Sequence, residues 1–354
     1  TLDASVRLNY IAGITASNEI NHYKFPVFAQ GRVLLCADMS AEKNKAIVSA
    51  KYLPQVYNGS DSVEIFFGEE GELTCGTELF SQFGSSLYSL VLMFKDSETW
   101  IIAGQDINQW DNNIFLLSSS IGCPAPSTLK TINLAAEPGA GINRALAIWQ
   151  GAHGIYMSDG RAPIPIHGDI KELFDPTDPR CIDPTKIGDS FAFMDHRRQE
   201  YHWVSDAGEW VYDIALNQWY EIDRTVEFQC GVSVHDTDGN AYAYGFLDTG
   251  YMYRTENGKT FDGEDITHIV QFGDMPLGGL AVETRFSAGR LVTVAKTLTA
   301  NNITFTHYAD CSASGMTKTM SPVKTGYRVA MPRFTDKFDG IFHSIKLEMT
   351  TNDE

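Results

Sequence analysis

The chain has 354 residues, 43% hydrophobic and 12% aromatic, so it can bury about three quarters of its unfolded surface and needs neither metal nor disulfide to fold. Its 45 acidic against 27 basic side chains give a net charge of -18 with no basic run, which argues against stable nucleic-acid binding, because such binding draws its affinity from neutralised phosphates. No apolar run approaches the ~18 residues of a membrane helix, and no membrane insertion is expected.

In chain order the strand signals come as hairpins. Gly31 to Ala37 and Ala46 to Ala50 flank a polar stretch from Asp38 to Asn44, and Ser89 to Lys95 and Thr99 to Gly104 flank Asp96-Ser97-Glu98. An Ile121-Gly122-Cys123-Pro124-Ala125-Pro126 turn follows. Residues 142 to 151 carry the best helical period, and Ile170 to Phe174 a single turn. Between them Ile155 and Met157 alternate with Tyr156 and Ser158, Asp159-Gly160 makes a turn, and Ile164 and Ile166 resume with period 2. Ser190 to Met194 and Glu200 to Val204 form the next hairpin. Trp210 to Asp213 turns at Leu216-Asn217-Gln218 into Trp219, Tyr220 and Ile222, and Asn240 to Phe246 pairs with Gly250 to Arg254. Short hairpins repeated along one chain, several ending in aromatic residues, are how radial all-β folds build blades. The expected fold is therefore all-β and β-propeller-like over residues 1–272. From Gly273 the texture shifts to longer Val/Thr-rich strands such as Arg290 to Val294 and Ile303 to Thr306, a C-terminal β region over 273–354 that is a last blade or a small β-sandwich.

Cysteines at 36, 75, 123, 181, 230 and 311 stand singly, without C-x-x-C pairs or zinc spacing, and read as buried free thiols. No signal peptide is evident, and the start at Thr1 reads as processing or as a fragment.

Several segments resemble, in order, the β-propeller proteins of tailed-phage necks and tails, the podovirus tail-nozzle and packaged-DNA stabilisation type. Arg32-Val33 with Ser49 to Tyr57 is similar to a family blade, and Leu90 to Gly104 to its "FK … tW … G" hairpin. Gly122-Cys123 with Pro126 resembles a turn that precedes a "G-I-Y-x-x-D-G" strand, here Gly154 to Gly160. Asp213 to Trp219 resembles a "yD … n-x-W" hairpin, and Tyr251 to Gly263 a late family segment. The chain is short for the family. The resemblance implies a virion protein, made in the host cytoplasm and placed in the phage neck or tail. There it would be one subunit of a homo-oligomeric ring, most simply a hexamer, contacting portal, adaptor and other tail proteins. Genomic DNA would pass through without stable binding, and an acidic lining would repel it.

Other motifs read as structure. Asp236-Thr237-Asp238-Gly239-Asn240 opens like a calcium loop but lacks the later bidentate glutamate, so a hairpin turn is expected. Arg254 to Phe261 approaches the Asp-box turn of sialidase-like propellers, with Glu256 for Asp and Phe261 for Trp, and without the accompanying catalytic groups. His153, Asp159 and His167 could be drawn as a metal or acid/base site but read as a solvated rim. Trp100, Trp210, Trp219 and Tyr220 are the candidate interaction or structural residues, with Tyr212 beside them as a partner for packing between blades. The expectation is no enzyme, no catalytic residue, no metal and no cofactor. The alternative is a carbohydrate-binding or glycan-cleaving propeller of a receptor-binding tail protein. A kelch-like module is disfavoured, because the Asp213 to Trp219 hairpin occurs once and no periodic double glycine accompanies it.

Overall fold

A computed structural model describes residues 22–351, apart from 55, 58–62, 84–85, 105, 135–143, 225–226, 256–259, 262–263, 277–278, 280–281, 289–290, 296–302, 321–325 and 331–332. The described residues form an all-β fold of antiparallel strands with a few short 3-10 turns. It divides into two units, Thr1–Thr255 and Glu256–Glu354.

The first unit is a series of antiparallel meanders. The first holds β1 (Tyr23–Ala29), β2 (Arg32–Asp38), β3 (Lys45–Val48) and β4 (Val63–Phe66). The second holds β5 (Leu73–Phe83), β6 (Ser86–Lys95), β7 (Thr99–Ala103) and β8 (Ile114–Ser118), and the third β9 (Lys130–Leu134), β10 (Arg144–Gly151), β11 (Gly154–Ser158) and β12 (Ile164–Pro165). Among the described residues, one register pair, Arg144 with Ser81, stitches the second to the third. The fourth meander is β13 (Phe191–Asp195), β14 (Glu200–Ser205), β15 (Gly208–Asp213) and β16 (Gln218–Ile222). The fifth is β17 (Cys230–His235), β18 (Ala241–Phe246) and β19 (Met252–Arg254). First strands of neighbouring meanders pack together, β1 on β5, β9 on β13 and β13 on β17. This is a propeller-like arrangement of blades.

Apolar layers lie between successive blades. Leu34, Val48, Ile65 and Phe67 meet Val91, Met93, Ile102 and Trp110 between the first two. Leu79, Leu92 and Phe94 meet Cys123, Ala147 and Trp149 between the second and third. The Gly122-Cys123 turn acts as a staple here. Cys123 N donates to Lys95 O at 2.9 Å and Trp149 Nε1 to Gly122 O at 3.0 Å. A Cβ at Gly122 would overlap the Lys95 carbonyl oxygen, so only glycine lets the two backbones approach.

Residues 144–151 form a strand, not the helix expected over 142–151. Ala145 to Gln150 are buried without a solvent face, and the strand pairs with β9 on one side and β11 on the other. A continuous apolar run of this length suits a central strand as well as a helix, and the neighbouring ladders decide it against the helix preference of alanine. The thiols differ too. All six are free, but only Cys36, Cys75 and Cys123 are buried, Cys181 is half-buried, and Cys230 and Cys311 are exposed.

In the second unit, β20 (Thr260–Phe261), β21 (Glu264–Gln271) and β22 (Met275–Pro276) precede β23 (Thr284–Ala288), β24 (Leu291–Ala295), β25 (Ile303–Ala309), β26 (Met316–Met320), β27 (Gly326–Ala330), β28 (Arg333–Gly340) and β29 (Phe342–Thr351). β29 is central, bonded to β21, β22 and β25. The division therefore lies at Thr255/Glu256 and not at 272/273, because the ladder to β29 draws β21 into the C-terminal unit. The Asp-box-like segment at 254–261 falls partly outside the described residues.

Candidate functional site

The fourth meander has two unlike faces. Toward the third blade it presents Ala192, Met194, Tyr201, Trp203 and Tyr212, packed with Ile132, Ile148, Ile155 and Leu173. The rings interlock: Phe174 stacks on Trp203 at 5.7 Å and 20°, and Trp219 meets Trp203 edge-on at 6.3 Å and Tyr212 at 5.1 Å. Every polar tip has a partner. Tyr201 OH donates to Thr128 O at 2.9 Å, Trp203 Nε1 to Gln150 Oε1 at 2.9 Å and Trp219 Nε1 to Ile166 O at 2.7 Å. Aromatic groups are retained in an interior when their polar ends are bonded in this way.

The opposite face, toward the fifth blade, carries charge. His202 is fully buried and its ring stacks on Phe193 at 4.5 Å and 13°. Its Nδ1 is 3.0 Å from Glu209 Oε1, and its Nε2 faces Glu200 Oε2 at 3.8 Å, an ion-pair separation too long for a hydrogen bond. Arg224 grips Glu209 through both Nε and Nη2, the second contact at 2.8 Å, and its guanidinium lies 4.7 Å from the Phe228 ring centre. The strand period explains the gathering. Glu200, His202 and Val204 share one face of β14, and in the β15 register Glu209 stands opposite Val204, diagonal to His202.

Burial opposes the charged form of His202, but the carboxylates of Glu200 and Glu209 outweigh it and raise its pKa above the ordinary histidine value. Burial likewise opposes charge on Glu209, yet hydrogen bonds from His202 and Arg224 prevail and hold its carboxyl below the usual range. Glu200 is also held low, its burial outweighed by His202, Arg198 and Tyr220.

Two members of this network, Glu209 and Arg224, line a cleft of about 380 Å³, a size in the range of small-molecule sites. Lys186, Asp189, Phe191, Asp206, Glu209, Glu221, Asp223, Arg224, Glu227 and Phe228 are among its lining residues. Six carboxylates thus face two cations, and both cations are engaged, Arg224 by Glu209 and Lys186 by Asp206 at 4.0 Å. Gly208, with φ +105°, makes the tight β14–β15 turn beside Glu221. The ionised Glu209 can accept hydrogen bonds or a proton, but it is not a proton donor at neutral pH.

The sequence-derived candidates scatter. Trp219 lies in the aromatic interface. Trp210 is half-buried, in register with Trp203 and Glu221, its Nε1 donating to Ala207 O at 3.3 Å. Tyr220 OH donates to Glu200 Oε1 at 3.1 Å and so touches the ionic network. Trp100 is remote, on β7 of the second blade, bonded to Glu98 at 2.8 Å and edge-on to Phe67. His167 packs between Tyr156 and Phe174 with Nδ1 3.1 Å from Ile155 O. Asp236 serves its own turn, accepting from Asp238 N at 2.9 Å and Asn240 N at 2.8 Å. No group of three or more potential metal ligands occurs among the described residues. Glu200, His202, Glu209 and Arg224 are not among the sequence-derived candidates, because only the β14–β15 register and the loop after β16 bring them together.

No family model matches the sequence, and no curated protein matches it. Among solved structures, the chain is similar to the exo-β-1,3-galactanase from Phanerochaete chrysosporium with galactose, at 10% identity over 90% of this chain and 78% of that chain, with a TM-score of 0.26. It is also similar to a glutamate-to-glutamine variant of that galactanase with β-1,3-galactotriose, at 9% identity over 90% of this chain and 77% of that chain, again with a TM-score of 0.26. The expectation that the chain is not an enzyme is corrected on this finding, since the matched structures are enzymes and an exclusion of catalysis is not retained. Likeness at this level assigns neither activity nor substrate.

Proposed function

We propose that the chain is a carbohydrate-binding β-propeller that takes a neutral sugar in the cleft on the ionic face of the fourth blade. The lining carries this reading. Carboxylates accept paired hydrogen bonds from vicinal sugar hydroxyls, and the half-buried Phe191 supplies apolar surface for a pyranose C–H face. Because Glu209 and Arg224 occupy one another, the remaining lining is predominantly anionic and repels sialic or uronic acids. Fixing Glu209 through Arg224 and His202 keeps one acceptor oriented before the ligand arrives, which lowers the ordering cost of binding. The test is a glycan array followed by calorimetry with the full chain. Neutral oligosaccharides should bind, sialylated ones should not, and Asp206→Asn with Glu221→Gln should weaken binding at least tenfold. Binding of no neutral glycan, or affinity unchanged in that variant, rejects the reading.

A second reading is a ring subunit of a phage neck or tail through which the genome passes, within a virion and against portal or adaptor partners. The ordered series of family-like segments favours it, together with the net charge of -18, since an acidic lining lets DNA pass without sticking. Electron microscopy of virions tests it. A closed ring around the tail axis supports the conduit, whereas single copies at fibre tips support the sugar-binding role.

A further inference from the structure

A second concavity lies in the first unit, away from the charged cleft, where the first strands of four consecutive blades come together. It has a volume of about 300 Å³ and is walled by Gly76 and Thr77 of β5, Lys130 and Thr131 of β9, Phe193 and Met194 of β13 with the following His196, and Gly231 to Ser233 of β17. No carboxylate is among these lining residues, although acidic side chains outnumber basic ones 45 to 27 along the chain.

Lys130 opens β9, where its backbone pairs with Ile148 of β10, and its ammonium makes no hydrogen bond or ion pair with any described residue. Threonine hydroxyls from two blades, at 77 and 131, stand in the same wall, and Ser233 is held by donating to Met194 O. His196 lies at the rim with the His235 ring 5.9 Å away. The carboxylates adjacent to the wall in sequence are engaged elsewhere: Asp195 accepts from Arg197 N at 2.9 Å and Arg198 N at 3.2 Å, and Glu78 accepts from Gln30 N at 2.8 Å. A cavity lined by a lysine, two threonines and a histidine, with no carboxylate in its wall, is matched by a compact anion.

We propose that this axial pocket binds a small oxyanion, the carboxylate or phosphate group of a ligand, with Lys130 as the charged partner and Thr77, Thr131 and His196 as hydrogen-bonding groups. Burial lowers the Lys130 pKa, opposed by the neighbouring Cys123 and Cys75 thiols, so the ammonium is in a setting where an anion would stabilise its charged form. Burial and the His235 ring lower the His196 pKa against the pull of Asp195, and an anion in the pocket would act in the same direction as Asp195. The site is independent of the sugar cleft, which is lined by other residues of the fourth blade and the segment after it.

The experiment is calorimetric titration of the full chain with inorganic phosphate and, separately, with acetate, at ionic strength held constant with sodium chloride. Wild type should saturate at one equivalent, and Lys130→Met should weaken binding at least tenfold. Saturation by phosphate alone assigns a phosphate group, and saturation by acetate alone a carboxylate. Should Lys130→Met fail to fold, the titration of the Lys130 ammonium in wild type, followed by nuclear magnetic resonance with and without anion, decides. Its pKa should rise on saturation. No saturation by either anion, equal affinity in Lys130→Met, or an unmoved Lys130 titration overturns the proposal.

Discussion

The two faces of the fourth blade solve the same packing problem with opposite chemistry. One face is closed by rings whose polar tips are all bonded, those of Tyr201, Trp203 and Trp219 to residues outside the blade and that of Tyr212 to Asn217; the other buries an imidazole, two carboxylates and a guanidinium against the fifth. Aromatic burial stabilises by removing apolar surface from water, at about 25 cal/mol per Å². A buried ionic network is weak evidence of stability, because desolvation offsets much of the attraction. The contrast teaches that the aromatic face holds the scaffold while the ionic face is kept for its charge, and the cleft opens on the ionic side.

The largest effect is expected on the aromatic face. Trp203→Ala removes a fully buried ring and its bond to Gln150, and should cost about 4 kcal/mol in denaturant titration. Little loss would mean that the interface between the third and fourth blades is not where the unit's stability lies.

Next comes the ionic face. Glu209→Gln removes the carboxylate that both Arg224 and His202 engage and should cost about 3 kcal/mol. Replacing Glu209 and Arg224 together with Leu and Met should cost far less, or nothing, while abolishing sugar binding. A double variant as unstable as the single one would show that the pair is structural and erase the distinction between the faces.

The pH dependence sharpens the same contrast. The folded pKa of His202 is raised, so its contribution is fully present below the ordinary histidine value and is lost as pH rises through the folded value. Glu209 and Glu200 are lowered, so their contribution is present above the ordinary carboxylate value and is lost as pH falls through their folded values. The wild-type urea midpoint should therefore fall on both sides, and His202→Gln should remove the alkaline limb. An identical alkaline limb in that variant would assign it to other groups. In the C-terminal unit the sign reverses for His307, lowered to about 4 by burial and the His343 ring. Its neutral form favours folding, so that unit should lose stability as pH falls from about 6.5 toward 4.

The smallest effect is expected at Trp219→Phe, which keeps one aromatic ring but removes the pyrrole ring and its 2.7 Å bond to Ile166 O. A loss of roughly 1 kcal/mol is the expected outcome; a loss comparable to Trp203→Ala would place the anchor of the aromatic face at residue 219 instead.

Much of the fold was legible because each hairpin combines period-2 alternation with a local turn: β6 with β7, β13 with β14 and β15 with β16 all stand close to where the pattern puts them. β10 was not, since Arg-Ala-Leu-Ala-Ile-Trp has no polar face to reveal a period, and burial on both faces comes only from tertiary context. The charged cleft was hidden for a related reason. Glu200, His202, Glu209 and Arg224 are each unremarkable on a strand or loop, and only the β14–β15 register and the loop after β16 bring them together. Tyr220 was the single candidate residue that touches this network, through Glu200.

The central claim is that the ionic face of the fourth blade holds a neutral sugar. Calorimetry of the full chain with the best neutral oligosaccharide from an array, comparing wild type with the Asp206→Asn, Glu221→Gln variant at equal folded fraction, tests it most directly. The account predicts saturable binding to wild type and at least a tenfold weaker affinity in the variant. Equal affinity in both proteins, or no neutral glycan bound by either, would contradict it.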